Sequence, residues 1–128
     1  MKKEVAAARP DIIILHLGEN DISPSRRPGD IADAVISLVE DFRALGSIVR
    51  VVAFLPRGNV SRVPGLTTHM FRQSRLAVNK ILSRRLGKDL ICMQRLHYPK
   101  DYSSDLVHLS DTGMLRYFLT LREVVLRS

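Results

Sequence analysis

Two short clusters carry residue types suited to acyl transfer. In Gly18-Glu19-Asn20-Asp21, the glycine permits a sharp turn and the Asn20 amide supplies an N–H donor for a developing oxyanion. Asp21 is expected to fold back onto backbone N–H groups and hold the loop. In Asp105-Leu106-Val107-His108, a carboxylate three residues before an imidazole on an ordered turn can fix the ring tautomer. The other ring nitrogen is then free to act as general base. Each cluster alone has a bland counterpart, since Gly-x-Asn-Asp is commonly only a turn and Asp-x-x-His is a short pattern. Their joint occurrence gives them weight.

The remaining reactive types are less informative. No Gly-x-Ser-x-Gly elbow occurs, and Ser23, Ser25, Ser103 and Ser104 read as loop serines with nothing to single out a nucleophile. His16 reads as a satisfied core histidine, with lining of a crevice floor as the alternative, and His69 and His97 read as surface. Cys92 reads as a small buried hydrophobe. Without further cysteines or a histidine pair at ligand spacing, no metal site is expected, and no pattern calls for a cofactor.

Elements with defined ends must hold these clusters. Asp11 to Leu17, entered through Pro10, is an aliphatic run typical of a strand buried on both faces of a parallel sheet. Apolar residues from Ile31 to Leu45 recur at helical spacing between Asp30, a suitable N-cap, and Gly46, a suitable stop. Ile48 to Leu55, closed by Pro56, predicts a second strand. Thr67 to Leu86 predicts a helix ended by Gly87, with Met70, Phe71, Ala77, Val78, Ile81 and Leu82 on its apolar face. Asp89 to Met93 predicts a third strand, and a last helix starts at Ser110 with Met114, Leu115, Phe118 and Leu121 as core and Arg116 and Arg122 solvated. Lys3 to Arg9 reads as the tail of a helix feeding the first strand. Strands alternating with crossover helices give an α/β fold with a parallel sheet. In such sheets sites form beyond the C-terminal strand ends, where both clusters fall.

Length and charge bound the answer further. At 128 residues and 45% hydrophobic, the chain is sized for one globular domain over 1–128. A single cysteine excludes a disulfide scaffold and points to a reducing, intracellular and cytoplasmic setting, and no apolar run reaches membrane-spanning length. The net charge is +7, unevenly spread. From Arg57 to Lys88 there are eight basic residues and no acidic one. This 57–88 segment is either a solvated helix face or an anion-binding surface able to neutralise nucleic-acid phosphates, although Phe71 is nearly its only aromatic.

The stretches PDIIILHLGENDIS and DLVHLSDTG resemble the SGNH (GDSL-type) hydrolases over nearly the whole chain from Pro10. The third signature block of that family, Gly-x-Asn-Asp, matches Gly18, Asn20 and Asp21, and the fifth, Asp-x-x-His, matches Asp105 and His108. The resemblance implies a flavodoxin-like three-layer α/β/α sandwich, of which this chain supplies the C-terminal portion with about three strands. It implies an acyl-ester substrate, with His108 as base, Asp105 as its orienter and Asn20 as oxyanion donor. The family's first block, Gly-Asp-Ser, supplies the nucleophile and its second block a glycine N–H; neither stands before Pro10. The only Gly-Asp, Gly29-Asp30, is followed by Ile31. The chain is therefore expected to lack the nucleophile and to be inactive alone. It is also similar to esterase-like domains of some retroelements, which would suit a non-enzymatic nucleic-acid or protein binding module.

Overall fold

The computed structural model describes residues 2–128. Four helices and three strands follow one another as α1 (Lys2–Ala8), β1 (Ile12–Leu15), α2 (Pro28–Arg43), β2 (Ile48–Val52), α3 (Thr68–Leu86), β3 (Leu90–Ile91) and α4 (Asp111–Arg127). Single 3-10 turns cover Glu19–Asp21 and Gly87–Asp89. The strands form one parallel sheet in the order β1-β2-β3, with Ile12 opposite Ile48, Leu15 opposite Val51 and Val52 opposite Ile91. The chain is mixed α/β. No helix among the described residues is long and apolar enough to cross a membrane.

Both crossovers step the chain the same way across the sheet, so right-handed connections put α2 and α3 on the same face. The core lies there: Val35, Val39 and Phe42 of α2 and Phe71, Val78 and Leu82 of α3 close over Val49 and Val51 of β2. Residues of opposite parity look away from that core. Arg50 is one, and it donates to Asp89, to which Arg43 also donates at 2.6 Å, and reaches Ser128 Oγ beyond the end of α4 at 3.4 Å.

The strands are shorter than the apolar runs predict. β1 ends at Leu15, three residues before Gly18 turns the chain, and Ile12 to Ile14 are only half-buried. Beyond Val52, Phe54 leaves the ladder and pairs with the Asn79 side chain of α3, donating N–H to Oδ1 at 2.7 Å and accepting from Nδ2 at 3.0 Å. β3 keeps only two residues in the sheet. Cys92, just past it, is exposed and is not the buried hydrophobe expected of a longer strand.

Helix ends also differ. Thr67 caps α3 through Oγ1 to Met70 N–H, but α2 begins before Asp30, because Pro28 at its first position presets the helical φ. It ends at Arg43, and Gly46 follows as a left-handed turn residue. On α4 three of the four expected core positions are wrong: Leu115 is 60% and Phe118 56% exposed, and Met114 is also exposed, whereas Leu121 is half-buried. Arg116, expected in solvent, is half-buried against Asp101.

Candidate functional site

The first cluster is built on a turn that only glycine fits. Gly18 has φ +113°, and a Cβ on it would lie 2.9 Å from Phe54 Cε1 and closer still to Cζ. The turn then closes through Asp21 N–H to Gly18 O at 2.9 Å. This backbone bond, not the Asp21 carboxylate, holds the loop. The Asp21 side chain is half-exposed and lies 3.6 Å from Arg26, which corrects the expectation that it folds back onto backbone N–H groups.

The buried carboxylate of the turn is Glu19, at 7% exposure. Its Oε2 accepts from His16 Nε2 at 2.8 Å and sits 3.5 Å from Leu55 N. Burial alone pushes the Glu19 carboxyl up, but the bond and charge of His16, with two backbone N–H groups, outweigh it and leave the carboxyl below its ordinary value. On the other side of the ring, Nδ1 is hydrogen-bonded to the Tyr117 hydroxyl, 2.6 Å away. His16 is thus a half-exposed link from turn to α4 and not a core residue.

Asn20 points outward from this turn. Its Oδ1 accepts from Arg57 NH1 at 2.9 Å, and the Arg57 guanidinium lies over the Phe71 ring at 5.8 Å. Holding the carbonyl end turns Nδ2–H2, the donor end, to the opposite side of the amide.

The second cluster is a hydrogen-bonded knot. Asp105 Oδ1 accepts from Ser103 Oγ at 2.8 Å and from the N–H groups of Val107 and His108 at 2.9 Å each. Its Oδ2 is 2.5 Å from His108 Nδ1. The His108 bond first, then those N–H groups and the Ser103 hydroxyl, hold the Asp105 carboxyl well below the usual carboxylate range. His108 Nε2 has no partner among the described residues, and its ring is largely exposed. The knot rests on Asp101, which is 1% exposed: its Oδ2 accepts from His97 N–H and Arg116, and its carbonyl accepts from Ser110 N–H and Oγ. Ser110 in turn caps α4 through Gly113 N–H.

Both clusters border one cavity of about 460 Å³, with Asn20 on one side, Asp105 and His108 on another, and Val60, Val63 and Leu66 as an apolar wall. Gly18 and Asp21 support the turn without lining it. Of the serines, Ser103 bonds Asp105 and the His108 carbonyl, not the imidazole, while Ser23 and Ser25 bond each other at 3.3 Å. His97 and His69 stand outside this cavity.

Glu19, Arg57, Asp101 and Ser103 are the positioning residues that the sequence reading missed. A Ser-x-Asp turn pattern was available for Ser103. The other three depend on partners across the fold. No protein-family model matches the chain, and no curated protein matches it.

Proposed function

We propose that the chain is an acyl-ester hydrolase module of the SGNH type, carrying the base and one oxyanion donor on the C-terminal part of a flavodoxin-like α/β/α sandwich. One observation supports this most: the Asp105–His108 pair at 2.5 Å leaves Nε2 free beside the cavity that Asn20 also borders. Asp105 holds Nδ1–H, so Nε2 carries the lone pair that accepts a proton from an attacking hydroxyl and later returns it to the leaving alkoxide. Arg57 fixes Asn20 with its amide N–H as donor for the tetrahedral oxyanion. The attacking hydroxyl belongs to a serine absent from these positions, for no serine among the described residues bonds the His108 ring. Among the described residues the base therefore has no serine bonded to it.

The test is p-nitrophenyl butyrate, followed both by turnover and by NMR. The expected result is hydrolysis no faster than free imidazole at the same concentration, with ester-dependent shifts of the Asn20 amide and His108 ring signals, the His108 shift being lost in Asn20→Ala. Turnover above about one per second, abolished by His108→Ala, would mean that the chain holds its own nucleophile, since loss of a serine nucleophile costs on the order of a millionfold. Ester that leaves both signals untouched would overturn the reading.

A further inference from the structure

A second cavity, of about 380 Å³, lies at the start of α3 on the far side of Arg57. Thr68, His69, Arg72 and Arg75 line it together with Arg57 and Tyr98, and no Asp or Glu lines it among the described residues. Thr68, Arg72 and Arg75 are spaced by four and three residues, so the helix sets them on one face. The sequence supplies no acid from Phe42 to Lys88.

The arginines are costly as they stand. Arg75 is half-buried, its Nε is shielded from solvent without a hydrogen-bond partner, and no carboxylate lies within ion-pair distance among the described residues. Burial and the like charge of Arg72 both push its guanidinium pKa down. Among the described residues Arg72 likewise has no carboxylate within ion-pair distance, and Arg57 bonds the Asn20 carbonyl and lies over the Phe71 ring. Like charges converging on a partly desolvated wall repel unless a counter-charge enters between them. Guanidinium forks, a threonine hydroxyl and the first turn of a 19-residue helix are all donors suited to tetrahedral oxyanions.

We propose that this cavity is a binding site for the terminal phosphate of a small ligand, with Arg72 and Arg75 as the principal cations and Arg57 at its border with the Asp105–His108 cavity. The inference stands independently of the hydrolase reading. A nucleic-acid backbone would need cations spread along a surface. Here the helix carries Lys80, Arg84 and Arg85 round to other faces, and Arg72 and Arg75 line one concavity.

The probe is inorganic phosphate, titrated by calorimetry and by thermal shift at constant ionic strength against sodium chloride. Wild type should show saturable binding and a rise in Tm that chloride does not give. Arg75→Met, which keeps the aliphatic stem, should weaken phosphate binding about tenfold or more, the loss expected for one charge-assisted hydrogen-bond donor. Its Tm without phosphate should equal or exceed that of wild type, because a cation without a partner has been removed. Exposed Arg72→Ala carries the same binding test if Arg75→Met fails to fold, and Arg84→Met should leave phosphate binding unchanged. Phosphate no better than chloride, or phosphate binding untouched in both cavity variants, would overturn the proposal. A single-stranded oligonucleotide that binds through Arg75 where phosphate does not would overturn it in favour of nucleic acid.

Discussion

Replacing Gly18 by alanine tests the geometry that carries Asn20. Two costs add. At φ +113° an alanine sits outside the region open to L-residues, which costs roughly 1–2 kcal/mol. Its Cβ would also meet the Phe54 ring inside 3 Å. Phe54 is 2% exposed and cannot swing into solvent, so overpacking adds roughly 1–3 kcal/mol. The sum, about 2–5 kcal/mol, is a large share of the roughly 5–15 kcal/mol by which domains are stable. For a chain of this size it corresponds to a fall in Tm of very roughly 6–20 °C.

Gly46 is the internal control. It too has positive φ, +93°, but a Cβ there meets nothing within 4 Å, so Gly46→Ala should cost only the conformational part, roughly 1–2 kcal/mol. Urea denaturation followed by far-UV circular dichroism measures both, and the double variant Gly18→Ala/Phe54→Leu should recover part of the steric difference. Equal losses for Gly18→Ala and Gly46→Ala would refute the close approach of turn and ring.

Two further outcomes concern titration. Asp105 is charged in the knot at pH values where a free carboxyl is protonated, so the bonds it accepts are present above the ordinary carboxyl pKa and are lost only as pH falls through its depressed folded value. The Val107 and His108 amide signals should hold their shifts through pH 4 to about 3, the range of an ordinary Asp, and Asp105→Asn should speed their hydrogen exchange while leaving global unfolding nearly unchanged. Tyr102 donates to Pro56 O at 2.6 Å, and burial, against the opposing charges of Arg75 and Arg57, pushes its hydroxyl up to about 12. Its raised pKa stabilises the fold fully below the unfolded value near 10 and is lost as pH rises through the folded one; ultraviolet titration should show Tyr102 and Tyr117, which burial also raises, ionising late, with the Tyr102 component lost in Tyr102→Phe.

What was legible in the sequence was what local spacing determines. Asp105 and His108 are three apart, so their bond needs only a turn, and a chemical reading of the pair finds it. α3 and the cores of β1 and β2 follow for the same reason: the signal and the structure lie in one segment. Arg57 and Asn20 are 37 residues apart, and no periodicity links them. The same holds for Glu19, whose Oε2 lies 3.5 Å from Leu55 N, 36 residues away. Strand ends were overestimated because an apolar run reports what can be buried, whereas strand length is set by the partner: β3 offers two residues, and Asn79 takes Phe54 out of the ladder.

The rotation of α4 is where hydrophobic pattern and structure part most clearly, and the cause is identifiable. Met114, Leu115 and Phe118 form an apolar stripe, yet Gly113, Arg116, Tyr117, Thr120, Leu121 and Val124 turn inward at the same helical period. Gly113 packs on the Asp101 carbonyl so closely that a Cβ would lie 3.1 Å from the carbonyl carbon and nearer still to its oxygen. Arg116 reaches the buried Asp101 carboxylate at 3.3 Å and Tyr117 meets His16 at 2.6 Å. A helix pinned at its first turn by a contact that only glycine allows, and again one turn later by two polar contacts, has no rotational freedom left for its leucines to use. Leaving Asp101 without partners would cost a buried charge its bonds, a larger penalty than exposing part of a leucine or phenylalanine side chain. The orientation of α4 therefore serves the loop that carries Asp105 and His108: the contacts that turn its apolar stripe outward are those that fix Asp101, and Asp101 fixes the knot.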